Sequence, residues 1–192
     1  MIKIFLKKGL SFVKKFIIMT IGCIFYDKKY FKGINFSKYS YTPGWRWIKN
    51  DLFMQKIIGF NKDIPFPVHP AATIINYKNI EFDPEDLNIF QKSGNYYQAN
   101  DAKIIIGKGT YIACNVGIIT ANHDLNDLSK HQKGKDVIIG PNSWIGLNSV
   151  ILPGVHLGEH TIVGAGSVVT KSFPDGNCVI AGNPAKIIKK LN

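Results

Sequence analysis

The chain has 192 residues, of which 45% are hydrophobic, and this length and composition predict one domain with a substantial core. Its net charge of +11 is uneven, because residues 1–32 hold eight lysines against Asp27 alone. The uneven charge indicates an N-terminal segment attracted to an acidic surface such as a membrane, and no nucleic-acid partner is expected. Three cysteines without a CxxC motif argue against a disulfide framework and favour a reducing compartment.

Residues 1–26 alternate lysines with apolar residues. Their longest uncharged run, residues 16–26, is well short of the roughly 20 residues that span a bilayer. No small-x-small cleavage site follows, which disfavours a signal peptide. At helical spacing the lysines lie on one side and four large apolar residues on another, namely Phe5, Phe12, Phe16 and Met19. This pattern favours an amphipathic helix lying in the plane of an anionic membrane. A helix packed on the protein body or on a neighbouring subunit is the alternative.

Residues 26–67 are rich in aromatic side chains and are predicted to form an irregular cap that contains a helix from Trp47 to Phe60. The aromatic residues are Tyr39, Tyr41, Trp45, Trp47, Phe53, Phe60 and Phe66. Trp45 and Trp47 fit either a platform on which sugar rings stack or a packing layer on the first coil of the next domain. The packing interpretation is favoured, because the open end of a sheet must be covered.

An aliphatic residue then returns every six positions, at Ile106, Ile112, Ile118, Ile139, Ile145, Ile151, Leu157, Val163 and Val169. A period of six fits neither a helix nor an alternating strand. It predicts short strands wound into the stacked coils of a parallel β-helix over residues 68–182. Glycine follows many of these residues, and we expect it to supply the backbone angles of the corners.

One break interrupts this repeat, because the interval from Ile118 to Ile139 is three residues out of phase with the period of six. Residues 121–136 are therefore predicted to form a loop expelled from the coil, and loops on rigid scaffolds often hold functional residues. The loop contains Asn122, His123, Asp124 and His131. A histidine held by a neighbouring carboxylate or carbonyl group suits a general base. A solvated structural histidine is the alternative.

The last ten residues, 183–192, are predicted to form a short helix. Asn183 would cap it and Pro184 would take its first position.

Several motifs together resemble the left-handed β-helix O-acetyltransferases, a family with hexapeptide repeats. They are Asn122-His123-Asp124, Ser143-Trp144-Ile145-Gly146, the run from Ile162 to Lys171 and the run from Val179 to Lys186. The resemblance covers residues 104–190 strongly. It is greatest to enzymes that acetylate sugars of bacterial capsules and lipopolysaccharides, which are related to the serine, maltose and galactoside acetyltransferases. It is specific for the superfamily and poorly specific for the acceptor.

The resemblance implies a homotrimer in which acetyl-CoA, the co-substrate, lies between neighbouring prisms and no metal is needed. It implies that His123 is the base, with Asp124 beside it, in a direct transfer without an acyl-enzyme. Asn122, His131 and Trp144 would contact the sugar or glycan acceptor. Trp144, Gly146, Ala165, Thr170, Lys171, Lys186 and Lys189 would bind acetyl-CoA, with the lysines meeting its phosphates. The implied location is the cytoplasm, including the cytoplasmic face of the inner membrane.

Three alternatives remain open at this point. An amino-sugar N-acetyltransferase would share the same solenoid, although residues 1–67 show no glycine-rich nucleotide loop. A zinc carbonic anhydrase would need His123, His156 and His160 to converge on one ion. A non-catalytic assembly subunit would need neither a loop histidine nor a pair of lysines for coenzyme A.

Overall fold

The computed structural model describes residues 13, 16–37 and 42–191, which divide after Pro70 into two compact units. Several residues of the predicted N-terminal pattern lie outside the described residues: Lys3, Phe5, Lys7, Lys8, Phe12, Lys14, Lys15, Tyr39 and Tyr41. In the part of the chain that is described, no helix has the length and hydrophobicity to cross a membrane.

The N-terminal unit is helical. Its elements are helix α1 over residues 16–25, 3₁₀ turns at Lys28–Tyr30 and Ile34–Phe36, helix α2 at Pro43–Leu52 and a π-helix at Phe53–Ile58. The predicted helix is therefore present but begins earlier, because Pro43 is well suited to a first helical turn. Trp45 is buried with its ring against Phe31 and Phe36, so it is a core residue of this unit.

Helix α1 packs with one side only. A Cβ at Gly22 would lie 2.8 Å from the Ile48 side chain, so this glycine allows close approach to α2. The hydroxyl of Tyr26, directly after α1, donates a hydrogen bond of 2.9 Å to Gln55. On the other side of α1, Phe16, Ile17 and Ile24 are exposed. The outward face of this helix is therefore apolar.

The C-terminal unit contains fourteen strands and two 3₁₀ segments, Tyr77–Asn79 and Pro84–Phe90. In chain order the strands are β1 (Thr73–Ile75), β2 (Ile80–Glu81), β3 (Tyr96–Gln98), β4 (Ile104–Ile106), β5 (Tyr111–Ile112), β6 (Gly117–Ile119), β7 (Val137–Ile139), β8 (Trp144–Ile145), β9 (Val150–Ile151), β10 (His156–Leu157), β11 (Thr161–Val163), β12 (Val168–Val169), β13 (Cys178–Gly182) and β14 (Ala185–Lys190).

These strands form the three faces of a prism. Face A has the order β1-β3-β6-β9-β12, face B the order β10-β7-β4-β2, and face C the order β14-β13-β11-β8-β5. Every pairing is parallel except that of β13 with β14. From β3 to β12 the chain visits A, B and C in turn, and each circuit adds one coil. This is the predicted left-handed parallel β-helix.

The six-residue ladder is confirmed residue by residue. In the strand registers Ile106 pairs with Ile139, Ile112 with Ile145, and Ile118 with Ile151. The next coil continues these columns through Leu157, Val163 and Val169, and all nine residues are buried. Each coil thus covers the apolar residues of its neighbour, which explains why the sequence repeats.

The expected role of the repeat glycines is wrong. Gly140, Gly146 and Gly158 are not in the left-handed backbone region, and a Cβ on any of them would collide with main-chain atoms of the next coil. They are needed for close approach between coils. The left-handed corners fall two residues later, at positions such as Asn142, Asn148 and His160. Asparagine tolerates that conformation better than most residues.

The predicted C-terminal helix is also wrong. Asn183 and Pro184 form a turn, and β14 returns antiparallel to β13. A helix as short as the predicted one is marginal in water. Strand pairing instead satisfies main-chain groups along the edge of β13, which would otherwise stay unpaired.

Candidate functional site

The predicted loop leaves the solenoid between β6 on face A and β7 on face B, and its root is fixed by Gln98. The buried Gln98 side chain accepts hydrogen bonds from the amides of Thr120 and Ala121, both at 3.2 Å, and donates to the Ala121 carbonyl at 3.2 Å. The Thr120 hydroxyl donates to the Asn100 carbonyl at 2.9 Å. The loop therefore starts from a rigid base on the preceding coil.

Beyond its root, the loop folds back on itself as a small hairpin. His123 and His131 form an antiparallel bridge, and their rings lie 4.3 Å apart. The Gln132 amide donates to the Asn122 carbonyl at 2.8 Å, and the Asp124 amide donates to Lys130 at 2.9 Å. These bonds bring together Asn122, His123 and His131, three of the four loop residues predicted around the reaction centre.

The imidazole of His123 is exposed, and its Nδ1 lies 2.8 Å from the carbonyl oxygen of Leu128. A carbonyl oxygen can only accept a hydrogen bond, so Nδ1 must carry the proton. In the neutral ring, Nε2 is then left with a free lone pair. This is the protonation state that a general base requires.

The carboxylate of Asp124 does not hold the ring of His123, as was expected of a residue beside the base. Its Oδ1 accepts hydrogen bonds from the amides of Asn126 at 2.8 Å and Asp127 at 3.2 Å. The carboxylate therefore shapes the turn that presents Leu128, and a carbonyl orients His123. Sequence reasoning named neither Leu128 nor Gln98. The one sequence signal for Gln98 was a polar residue at a position that faces the core.

Trp144 lies on β8 of face C, is exposed, and is in register with the exposed Tyr111 of β5. The loop leaves from the edge between faces A and B, which is the prism edge opposite face C. One copy of the prism therefore holds His123 and Trp144 on different sides.

Gly146 and Ala165 occupy the same corner, between faces C and A, in successive coils. A Cβ at Gly146 would lie 2.7 Å from the Ala165 nitrogen, so the two residues are stacked in close contact. Ala165 is exposed, and within the described part of the chain its amide donates no hydrogen bond. This amide is therefore available to a ligand that runs along the corner.

Thr170 and Lys171 follow β12 and are exposed, and Lys186 and Lys189 are exposed on β14. The Lys171 ammonium lies 5.7 Å from the centre of the Phe173 ring. Lys171, Phe173 and Lys190 line a cleft of about 500 Å³ at the last coil of the solenoid. Of the three lysines predicted to meet phosphates, Lys171 lines this cleft, whereas Lys186 and Lys189 do not.

The zinc alternative gains no support from the geometry. His156 lies on β10 of face B, while His160 occupies a left-handed corner position. Among the residues that the structure describes, no group of three potential ligands is arranged to hold a metal ion.

Comparison with known proteins reveals the same repeat. Residues 136–171 match the family described as "Bacterial transferase hexapeptide (six repeats)". A maltose O-acetyltransferase from Clostridium difficile 630 is 30% identical, with a TM-score of 0.51 over 77% of this chain and 89% of that one. The chain belongs to the hexapeptide-repeat acetyltransferase family.

Two further relatives extend this comparison. A galactoside O-acetyltransferase from Lactococcus lactis is 41% identical over 96 residues, which are 48% of this chain and 46% of that protein. A hexapeptide-repeat acetyltransferase from Vibrio cholerae, solved with acetyl coenzyme A, is 25% identical with a TM-score of 0.51, over 65% of this chain and 67% of that one. The chain spans about half the length of the curated relatives it matches.

Proposed function

We propose that this protein is an acetyl-CoA-dependent O-acetyltransferase whose acceptor is a sugar hydroxyl of a bacterial surface glycan or of its lipid-linked precursor. The hydrogen bond from His123 to Leu128 carries the proposal, because in the neutral ring it leaves the Nε2 lone pair free on an exposed loop. The relatives named galactoside and maltose O-acetyltransferase support the reaction class and a sugar acceptor. The complex of the Vibrio relative supports acetyl-CoA as the donor.

In the proposed reaction, His123 Nε2 accepts the proton of the sugar hydroxyl while its oxygen attacks the thioester carbonyl. A bond forms between that oxygen and the acetyl carbon, and the carbon–sulfur bond then breaks. The proton held by His123 passes to the departing thiolate of coenzyme A, so the base is regenerated without an acyl-enzyme. Asn122 and His131 lie in the same hairpin as His123, which supports the proposal that they contact the acceptor.

The donor is proposed to lie along the prism from Lys171, Lys186, Lys189 and Thr170 toward Trp144. The exposed amide of Ala165, stacked on Gly146, would hold the pantetheine arm. The lysine ammonium groups would meet the phosphates as point charges. The Trp144 ring would pack on the acetyl end.

The proposed active unit is a homotrimer, and the positions of His123 and Trp144 support an assembly of several copies. Both residues lie on different sides of one prism, so a single site that uses both must combine two copies of the chain.

Membrane attachment through residues 1–26 is supported by the apolar outward face of α1. We propose that the enzyme acts in the cytoplasm, on the inner face of the membrane where lipid-linked glycans are assembled.

The experiment is a measurement of free thiol released from acetyl-CoA in the presence of galactosides, maltose and amino sugars. Release that depends on a sugar, with a product whose acetyl group is removed by mild hydroxide, supports O-acetylation. A product that resists hydroxide is an amide and would identify an N-acetyltransferase. Surface glycans of cells with and without the protein should differ by an acetyl group, and identical glycans would refute the proposed acceptor class.

A further inference from the structure

The segment after α2 forms an exposed apolar turn that the proposed transfer reaction does not use. The π-helix Phe53–Ile58 ends at Gly59, and the amides of Gly59 and Phe60 both donate to the Met54 carbonyl at 3.1 Å. Four large apolar side chains are more than half exposed: Phe53 at 58%, Ile57 at 63%, Ile58 at 54% and Phe60 at 51%. These four residues are called the apolar turn below. Contiguous exposed apolar residues mark interaction surfaces.

The apolar turn is held in place from the inside by Gln55. This fully buried side chain accepts hydrogen bonds from the Tyr26 hydroxyl at 2.9 Å and the Val68 amide at 3.1 Å. It also donates to the Phe66 carbonyl at 2.9 Å. Rotating the turn to bury its apolar side chains would break these buried bonds, which is costly. The exposure is therefore fixed by the fold of this unit.

The net charge of the N-terminal unit favours an anionic surface as the partner of the apolar turn. Residues 1–70 contain 13 lysines and arginines against three aspartates, a net of +10, whereas the whole chain has +11. Lys49 before the turn and Lys62 after it are exposed. Apolar side chains framed by lysines suit the boundary between the acyl chains and headgroups of an anionic bilayer.

The apolar turn also adjoins α1, since the Tyr26–Gln55 hydrogen bond joins the end of that helix to the π-helix. We propose that the apolar turn is a second membrane contact, which inserts Phe53, Ile57, Ile58 and Phe60 into an anionic bilayer. This inference rests on the proposed membrane association of α1 and adds a site to it. Two linked contacts bind more tightly than either alone, because the second engages at a high effective concentration.

The test compares full-length variants by co-sedimentation with vesicles of phosphatidylcholine containing phosphatidylglycerol. Ile57→Ser/Ile58→Ser should weaken binding by roughly tenfold or more, because it removes two aliphatic side chains that the bilayer would partly bury. Ile188→Ser is the matched control, because Ile188 on β14 is 65% exposed and lies outside the basic unit. Ile58→Trp provides a direct measurement, since its fluorescence should shift to the blue and be quenched by brominated lipid.

Several outcomes would overturn the proposal. Equal sedimentation of the double variant and the wild type would show that the turn does not enter lipid. An altered oligomeric state with unchanged vesicle binding would instead make the turn a contact between copies of this chain. If the wild-type protein does not bind the vesicles, both proposed membrane contacts are refuted. The thiol-release assay with soluble sugars is independent of these outcomes, so failure of the proposed enzymatic function is recognised separately.

Discussion

The ring nitrogen Nδ1 of His123 donates a hydrogen bond to the carbonyl oxygen of Leu128, five residues later in the same loop, at 2.8 Å. This contact orients the ring and selects its tautomer at the same time. Asp124 contributes to the orientation of His123 indirectly, because its carboxylate holds the turn that leads to Leu128.

His123→Ala is expected to lower kcat by 10²–10⁴-fold, the usual contribution of general-base catalysis. Steady-state thiol release measures this effect, and binding of acetyl-CoA should be unchanged. His156→Ala is the matched control, because His156 is exposed on β10 and has no proposed role. A loss of less than roughly tenfold in a folded variant would exclude His123 as the base.

Lys171→Ala and Lys186→Ala are each expected to raise KM for acetyl-CoA with little change in kcat. Phosphate contacts are made equally in the ground state and the transition state, so their loss weakens binding alone. Added salt should weaken wild-type binding in the same way. Lys78→Ala, an exposed lysine on the first coil, is the control. Unchanged KM in both variants would contradict the proposed phosphate site.

Gly158→Ala should destabilise the solenoid, because the new Cβ would collide with the main-chain oxygen of Pro174 in the next coil. The expected loss in free energy of unfolding is about 1–3 kcal/mol, typical of overpacking. Gly117→Ala is the control, since its Cβ would meet only Val150 side-chain atoms at 3.7 Å. Thermal unfolding compares the two, and equal melting temperatures would show that the coils can separate.

Asp51 makes the stability of the N-terminal unit depend on pH. Burial raises the pKa of its carboxyl group to about 7, and Oδ2 has no hydrogen-bond partner among the described residues. The folded state therefore holds a proton that the unfolded state has lost, and stability should fall as pH rises from about 4 to 7.

Asp51→Asn should remove most of this decline and raise the free energy of unfolding at pH 8 by about 2 kcal/mol. Chemical denaturation at pH 5 and pH 8 measures it. Asp63→Asn, which changes an exposed carboxylate of the same unit, is the control. An equal pH dependence in wild type and Asp51→Asn would show that another group is responsible.

Phe16→Ser/Ile17→Ser should reduce co-sedimentation with anionic vesicles at low salt, because both side chains lie on the outward face of α1. Each lysine near anionic lipid adds about 1 kcal/mol, so binding should reverse at high salt. Truncation before Asp27 is a poor test, since it removes Gly22 and Tyr26 from the unit's core contacts. Loss of the trimer without loss of vesicle binding would favour a helix packed between subunits.

The sequence by itself determined the solenoid and the position of its loop. The six-residue spacing of residues such as Ile139, Ile145 and Ile151 is enforced by direct stacking between coils, so the pattern is local and can be counted. The phase break before Ile139 located the loop for the same reason.

Tertiary structure decided what depends on contacts between distant residues. Gly140, Gly146 and Gly158 are required by main-chain atoms 16 to 19 positions away in the chain, and spacing alone does not reveal that approach. The C-terminal segment became β14 because the edge of β13 was available to pair with it. Leu128 orients His123 through a main-chain carbonyl, a group present at every residue, so only the folded hairpin shows which carbonyl faces the ring.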